Sequence, residues 1–134
     1  MIVVDTNVIV YLMIEGEKTD AAQRTFRRDR DWIVPSLWRH EFLNVLVTFV
    51  RHSGIEIDEA INLWQRSTYL FASGEREVDM LHVLRMASQH NISAYDAQYV
   101  TLAMALGVPF VTADQQLLKI FADTALSMQE FCES

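Results

Sequence analysis

The chain has 134 residues, 51% of them hydrophobic, and a formal net charge of −7 at pH 7. This length and composition exclude a disordered tail, and we expect one domain over residues 1–134 with a substantial core. The negative charge argues against a protein that binds nucleic acid through a broad basic surface.

Short strands alternate with helices along the chain. The predicted strands are Ile2–Asp5, Trp32–Val34 (ended by Pro35), a brief Arg76–Val78, Pro109–Thr112 and Ala125–Ser127. The predicted helices are Asn7 to about Met13; a cap at Thr19 or Asp20 to about Arg30; Leu37–Ser53 between Ser36 and Gly54; Glu59–Phe71 after Asp58; Asp79 to about His90; Ala94–Leu106 between Ser93 and Gly107; Asp114–Phe121; and a terminal turn or helix at Met128–Cys132. This alternation predicts an α/β fold with a central, mainly parallel sheet flanked by helices.

Two simple features predict the cellular compartment. The longest apolar run, Val8 to Ile14, is seven residues, whereas a membrane span needs ~20 residues. Cys132 is the only cysteine, so no internal disulfide can form, and the first residues lack the pattern of a secretory signal. We therefore expect a cytoplasmic protein without a membrane segment.

The first predicted strand ends on a carboxylate, Asp5. In parallel α/β folds, ligands bind outside the carboxyl ends of the strands. Asp114 follows the strand Pro109–Thr112 in the same way, although aspartate is also a preferred residue at the start of a helix. Capping a helix and binding a metal are compatible roles, so both interpretations of Asp114 stay open.

Two further carboxylates lie inside predicted helices among apolar neighbours. Asp96 is near the start of its helix, where the helix dipole also favours an exposed acid. Glu41 shares a side of its helix with Trp38 and Val45, and an unpaired buried carboxylate is costly. Glu41 should therefore be exposed, paired with an arginine, or close to a bound cation.

The order and setting of these acids resemble those of PIN domains, a family of metal-dependent nucleases. The resemblance rests on "VVDTNV", "WRHEFLNVL", "ISAYDAQYVTLA" and "VPFVTADQQL" and extends over nearly the whole chain. The site residues that it implies are the acids Asp5, Glu41, Asp96 and Asp114 and the polar residues Asn7, Ser93 and Thr112. Many members have glycine where this chain has Asn91, but asparagine also tolerates the left-handed conformation of a helix end.

A site with four carboxylates is expected to hold divalent cations, because the acids would otherwise repel one another. Oxygen ligands favour Mg²⁺ or Mn²⁺, and the histidines and Cys132 form no zinc motif. One ion would activate a water, and a second, ~4 Å away, would stabilise the leaving oxygen. We expect Asp5 to bridge the ions, with Asp96 and Asp114 as further ligands. Glu41 would bind an ion or orient its water.

The resemblance also implies a substrate and partners. RNA would be cut to a 5′-phosphate and a 3′-hydroxyl. The short chain is most similar to the VapC toxins of VapBC toxin–antitoxin pairs, which implies a small VapB-like antitoxin that places a basic residue in the acidic site. A homodimer is expected as well, and the aromatic residues Trp64, Tyr69 and Phe71 are candidates for its interface.

Several alternatives to this interpretation were weighed. A haloacid-dehalogenase phosphatase would have a second acid where Asn7 stands, and a receiver domain needs paired acids after the first strand and a late lysine. A PIN domain that only binds, or one that processes RNA outside a toxin pair, stays open. The cluster Arg24, Arg27, Arg28 and Arg30 is either a solvated helix end or a phosphate-contact patch bordering the acids.

Overall fold

Five short parallel strands form one sheet in the order β3-β2-β1-β4-β5, in a computed structural model that describes residues 1–134. The strands are β1 (Ile2–Val4), β2 (Trp32–Pro35), β3 (Glu75–Arg76), β4 (Phe110–Val111) and β5 (Ala125–Leu126). The central strand β1 pairs with β2 on one side and β4 on the other. Because all four pairings are parallel, every strand ends at the same edge, called here the carboxyl edge.

Eight helices flank the sheet and confirm the predicted α/β fold. They are α1 (Thr6–Met13), α2 (Thr19–Arg28), α3 (Leu37–His52), α4 (Ile57–Phe71), α5 (Met80–His90), α6 (Ala94–Leu106), α7 (Gln115–Ile120) and α8 (Met128–Glu133). A single 3₁₀ turn, Ala72–Gly74, leads into β3. No helix combines the length and the apolar character that crossing a membrane requires.

Both faces of the sheet are buried, as expected for a parallel sheet covered by crossover helices. Alternate residues of β1 point to opposite faces: Ile2 and Val4 join one core cluster and Val3 joins the other. Helices α1–α4 and α8 cover the first face, called the α1–α4 face, and α5–α7 cover the second, called the α5–α7 face. The chain thus fills one layer before it crosses to the other.

Four predicted boundaries were wrong by a few residues. Helix α2 begins at Thr19 itself, and the Thr19 hydroxyl accepts a hydrogen bond from the Gly16 amide. The same helix ends at Arg28 rather than Arg30, because the chain turns there into β2. Helix α4 starts at Ile57, which places Asp58 inside the first turn. The third strand is Glu75–Arg76, since its pairing with β2 begins directly after Gly74.

The arginine cluster lies at the opposite edge of the sheet from the strand ends. The amide of Ile2, where β1 begins, donates to the Asp31 carbonyl (3.1 Å), and the chain's N-terminal amine pairs with Asp29 (2.6 Å). Arg28 donates to the carbonyl of Ser134, and Arg30 stacks over an aromatic ring. The expectation that this cluster borders the acids is therefore wrong, and the contacts favour a solvated helix end.

The aromatic residues of α4 serve mainly the core. Trp64 stacks on Trp38, with ring centroids 6.3 Å apart, and Phe71 stacks on Trp32 at 5.5 Å. Only Tyr69, which is 88% exposed, is free for contact with another molecule. Burial in the core therefore accounts for Trp64 and Phe71, and neither indicates an interface.

Asn91 ends α5 in the left-handed conformation, with φ 53° and ψ 47°. It is the only non-glycine residue with positive φ in the chain. Asparagine is among the few residues that adopt this conformation at low cost. The prediction that Asn91 replaces a helix-ending glycine is therefore confirmed.

Gly74 should resist substitution, because a Cβ atom there would lie 2.1 Å from the Trp32 carbonyl oxygen. We expect Gly74→Ala to lower the free energy of unfolding by about 1–3 kcal/mol or more by forcing β3 away from β2. Gly16→Ala is the matched control, since no atom lies within 4 Å of its added Cβ. Urea unfolding of both variants measures the difference, and equal stabilities would contradict the prediction.

Candidate active site at the carboxyl edge of the sheet

Two aspartates follow adjacent strands where these strands end. Asp5 comes directly after β1 and precedes the first residue of α1, and it is only 8% exposed. Asp114 follows β4 and caps α7 by accepting a hydrogen bond from the Leu117 amide at 3.0 Å. Since β1 and β4 pair directly, the sheet holds both carboxylates at the carboxyl edge.

The hydroxyl of Thr112 connects these two acids. It donates to Oδ2 of Asp5 at 2.7 Å and accepts from the backbone amide of Asp114 at 3.0 Å. Thr112 is fully buried, so its hydroxyl has little freedom to turn away. The cap at Asp114 occupies Oδ1, so capping leaves the other carboxylate oxygen for a second role.

Asp96 reaches the edge from the α5–α7 face. Ser93 caps α6 by accepting from the Asp96 amide at 3.0 Å, which fixes the first turn of the helix. The Asp96 side chain is half-buried. Burial, and then the charges of Asp114 and Glu41, raise the pKa of Asp96 above its ordinary value.

Glu41 reaches the same place from the α1–α4 face, on α3. Its Oε1 accepts hydrogen bonds from the Thr6 hydroxyl at 2.9 Å and from the Tyr99 hydroxyl at 2.5 Å. Burial, and then the Glu41 charge, raise the pKa of Tyr99 far above its ordinary value, so this hydroxyl keeps its proton. Glu41 is thus neither fully exposed nor paired with an arginine.

Asp5 is the most perturbed carboxylate of the four. Burial raises its pKa to about 7, the Thr112 hydrogen bond lowers it, and the charges of Glu41 and Asp96 raise it further. Asn7 donates to Asp5 over a long 3.5 Å, while its own Oδ1 is buried without a partner. The site therefore concentrates negative charge and unused oxygen atoms at one point.

The donor chemistry of this site fits a hard divalent cation, because all its ligand atoms are oxygen. As the side chains lie, however, no three histidine, cysteine or acidic groups form a ready metal-binding cluster. The raised pKa of Asp5 and Asp96 is the behaviour of carboxylates that lack a neutralising positive charge.

Two residues of this site were missed from the sequence. Tyr99 had been grouped with the apolar neighbours of Asp96, and Thr6 had not been singled out beside Asp5. The available signal was spacing: Tyr99 follows Asp96 by three residues, so both lie on one side of α6. The partner of Tyr99, Glu41, is 58 residues away in the chain, and no local pattern reveals it.

Comparison with known proteins agrees with this geometry. Ribonuclease VapC3 of Pyrobaculum aerophilum is 30% identical over 124 residues, which cover 90% of this chain and 94% of that protein. The crystal structure of PAE2754 from P. aerophilum has a TM-score of 0.79 at 20% identity, covering 98% of this chain and 93% of that one. FitAcB from Neisseria gonorrhoeae has a TM-score of 0.68 at 19% identity, covering 93% and 95%. At these identities the two solved structures speak for the fold alone.

The PIN-domain family model matches residues 2–122 of this chain. The match runs from β1 through α7, so it includes the strand end with Asp5, the helices with Glu41 and Asp96, and the turn with Asp114. Family model, sequence relative and solved structures agree over nearly the full length. The chain belongs to the PIN-domain family.

Proposed function

We propose that this protein is a Mg²⁺-dependent endoribonuclease and the toxin of a type II toxin–antitoxin pair. The observation that carries the proposal is the convergence of four carboxylates at the carboxyl edge, where burial and mutual charge raise the pKa of Asp5 to about 7. The similarity to Ribonuclease VapC3 over 90% of the chain supports RNA as the substrate and a toxin pair as the setting.

Asp5, Asp96 and Asp114 would hold the cation, with Mn²⁺ able to replace Mg²⁺. Asn7 and Ser93 support the site, Ser93 by capping α6 and Asn7 with a buried Oδ1 that has no partner. A bound ion lowers the pKa of water and neutralises charge on the phosphodiester. The acids must turn toward one another to bind it, because as placed they form no ready cluster.

The remaining roles fall to side chains that orient the reacting groups. Thr112 holds Oδ2 of Asp5, and Glu41 is held by Oε1. Oε2 of Glu41 has no hydrogen bond, so it can accept one from the attacking water and orient it toward phosphorus. The bond from phosphorus to the 3′-oxygen then breaks, leaving a 5′-phosphate and a 3′-hydroxyl.

The direct test is cleavage of a labelled single-stranded RNA by the purified protein. Mg²⁺ should support cleavage, EDTA should stop it, and added Mn²⁺ should restore it. The downstream fragments should be digested by an exonuclease that requires a 5′-phosphate. Cleavage that persists in EDTA and leaves a cyclic phosphate would contradict the proposed chemistry.

A toxin of this kind would act on its host's own RNA in the cytoplasm and must be held inactive. We propose a small VapB-like antitoxin that places an arginine among the acids, since guanidinium can bridge carboxylates through paired hydrogen bonds. Expression of this chain alone should arrest growth of its host, and the product of the adjacent short gene should restore it. If the wild type is harmless and no neighbour co-purifies, RNA processing outside a toxin pair becomes the better description.

A homodimer is part of the proposal, but its interface must differ from the buried aromatics of α4. Leu81, Leu84 and Tyr95, on α5 and the start of α6, are all largely exposed, and apolar side chains of this size are typical of an interface core. Light scattering should give about twice the chain mass of 15.5 kDa. A mass near that of a single chain at micromolar concentration would contradict the dimer.

A further inference from the structure

A buried tyrosine hydroxyl lies against one oxygen of Glu41. Tyr99 is 1% exposed, and its hydroxyl donates to Oε1 of Glu41 at 2.5 Å. Thr6 donates to the same oxygen at 2.9 Å and lies 2.5 Å from the tyrosine oxygen. Both hydroxyls therefore act on Oε1, and Oε2 is left without a hydrogen bond.

This contact joins the two helix layers past the end of the sheet. Tyr99 belongs to α6, and its ring packs near Phe110 in the α5–α7 face, with centroids 6.0 Å apart. Glu41 belongs to α3, which covers the α1–α4 face through Trp38 and Phe42. The hydrogen bond thus fixes the position of a side chain from one layer against the other.

We infer that Tyr99 is a positioning residue, which together with Thr6 holds Glu41 by Oε1 so that Oε2 serves the cation and its water. The inference rests on the proposed function, because it assigns a task to Glu41 within that site. Tyr99 itself touches neither RNA nor the ion in this scheme. It acts only through Glu41.

The physical reason is the flexibility of a glutamate side chain. Glu41 is only partly buried, so without its two donors it could turn into solvent and away from the other acids. Hydrogen-bond partners of this kind, behind the groups that bind a metal, typically change metal affinity or activity by roughly 10- to 100-fold when removed. A hydroxyl that merely satisfies the core would affect stability and leave the affinity for the ion unchanged.

The test compares Tyr99→Phe with the matched control Tyr69→Phe. Both remove one hydroxyl, but Tyr69 is exposed and makes no hydrogen bond through its side chain. Calorimetric titration with Mn²⁺ should show about 10-fold weaker binding for Tyr99→Phe and wild-type binding for the control. With labelled RNA, kcat should fall by a similar factor while KM changes little.

A double-mutant cycle with Glu41→Gln separates positioning from a general structural effect. If Tyr99 acts through Glu41, Tyr99→Phe should weaken Mn²⁺ binding in the wild-type background and hardly at all in the Glu41→Gln background. Equal losses in both backgrounds, or wild-type affinity and turnover in Tyr99→Phe, would overturn the inference. If Tyr99→Phe does not fold, Thr6→Val carries the same cycle with the same expected result.

These outcomes are distinct from failure of the proposed function. A wild-type chain that binds Mn²⁺ but cuts no RNA would refute the nuclease, and the Mn²⁺ cycle would still decide the role of Tyr99. A nuclease whose Mn²⁺ affinity ignores Tyr99 would refute only the positioning role. A wild-type chain that does not bind Mn²⁺ would overturn both.

Discussion

Asp5→Asn should reduce RNA cleavage by roughly 10³-fold or more, the scale expected when a central charged group of a catalytic unit is removed. The amide can still accept the hydrogen bond from Thr112, which now lies at 2.7 Å from Oδ2, so the local structure should survive. What is lost is the negative charge that would hold the cation. Initial rates on labelled RNA in Mg²⁺ measure the effect.

Asp123→Asn is the matched control for this substitution. Asp123 is exposed and lies two residues before β5, at the edge of the sheet opposite to Asp5. It should cleave at the wild-type rate, whereas Asp96→Asn should be as inactive as Asp5→Asn. Wild-type cleavage by Asp5→Asn with an unchanged circular dichroism spectrum would refute the proposed mechanism.

Without divalent ions, the wild type should lose stability relative to Asp5→Asn as the pH rises from about 4 to about 7. The pKa of Asp5 rises from 3.8 to about 7 in the folded chain, mainly through burial. The folded state therefore keeps a proton that the unfolded state releases, and stability falls across this interval. Above it, the ionised carboxylate costs about 4 kcal/mol, an order-of-magnitude figure from the shift.

Urea unfolding in EDTA at a series of pH values measures this difference. The stabilities of the two proteins should converge near pH 4 and diverge above pH 7, with Asp5→Asn the more stable. Mn²⁺ should then stabilise the wild type and leave Asp5→Asn nearly unchanged, since only binding to the folded state adds stability. Parallel curves from pH 4 to pH 8 would show that the Asp5 charge is not costly.

The parallel sheet and the edge position of Asp5 and Asp114 could be predicted from the sequence because both depend on local order. A buried strand, a carboxylate and a helix start follow one another within a few residues, and parallel pairing then fixes where the carboxylates lie. The same applies to Asn91, whose left-handed conformation is a property of the residue type and the helix end.

Other features could not be predicted, because they depend on contacts between distant segments. The position of the arginine cluster follows from how α2 enters β2, which brings Asp29 to the chain's N-terminal amine 28 residues away. The bond between Tyr99 and Glu41 depends on how two helices from opposite faces meet. Trp64 and Phe71 have the same spacing whether they face the core or a partner.

The strand order also has a consequence for how new activities can arise on this fold. The chain moves outward from β1 to β2 and β3, then returns to the other side of β1 with β4 and β5. Helix α1, with Val8 and Ile9, therefore leaves toward one face, while α7, with Leu117, leaves toward the other. This topological switch point opens a crevice between the ends of β1 and β4. Substrate preference can therefore change through the segments around the crevice, while the buried strands that hold Asp5 and Asp114 stay the same.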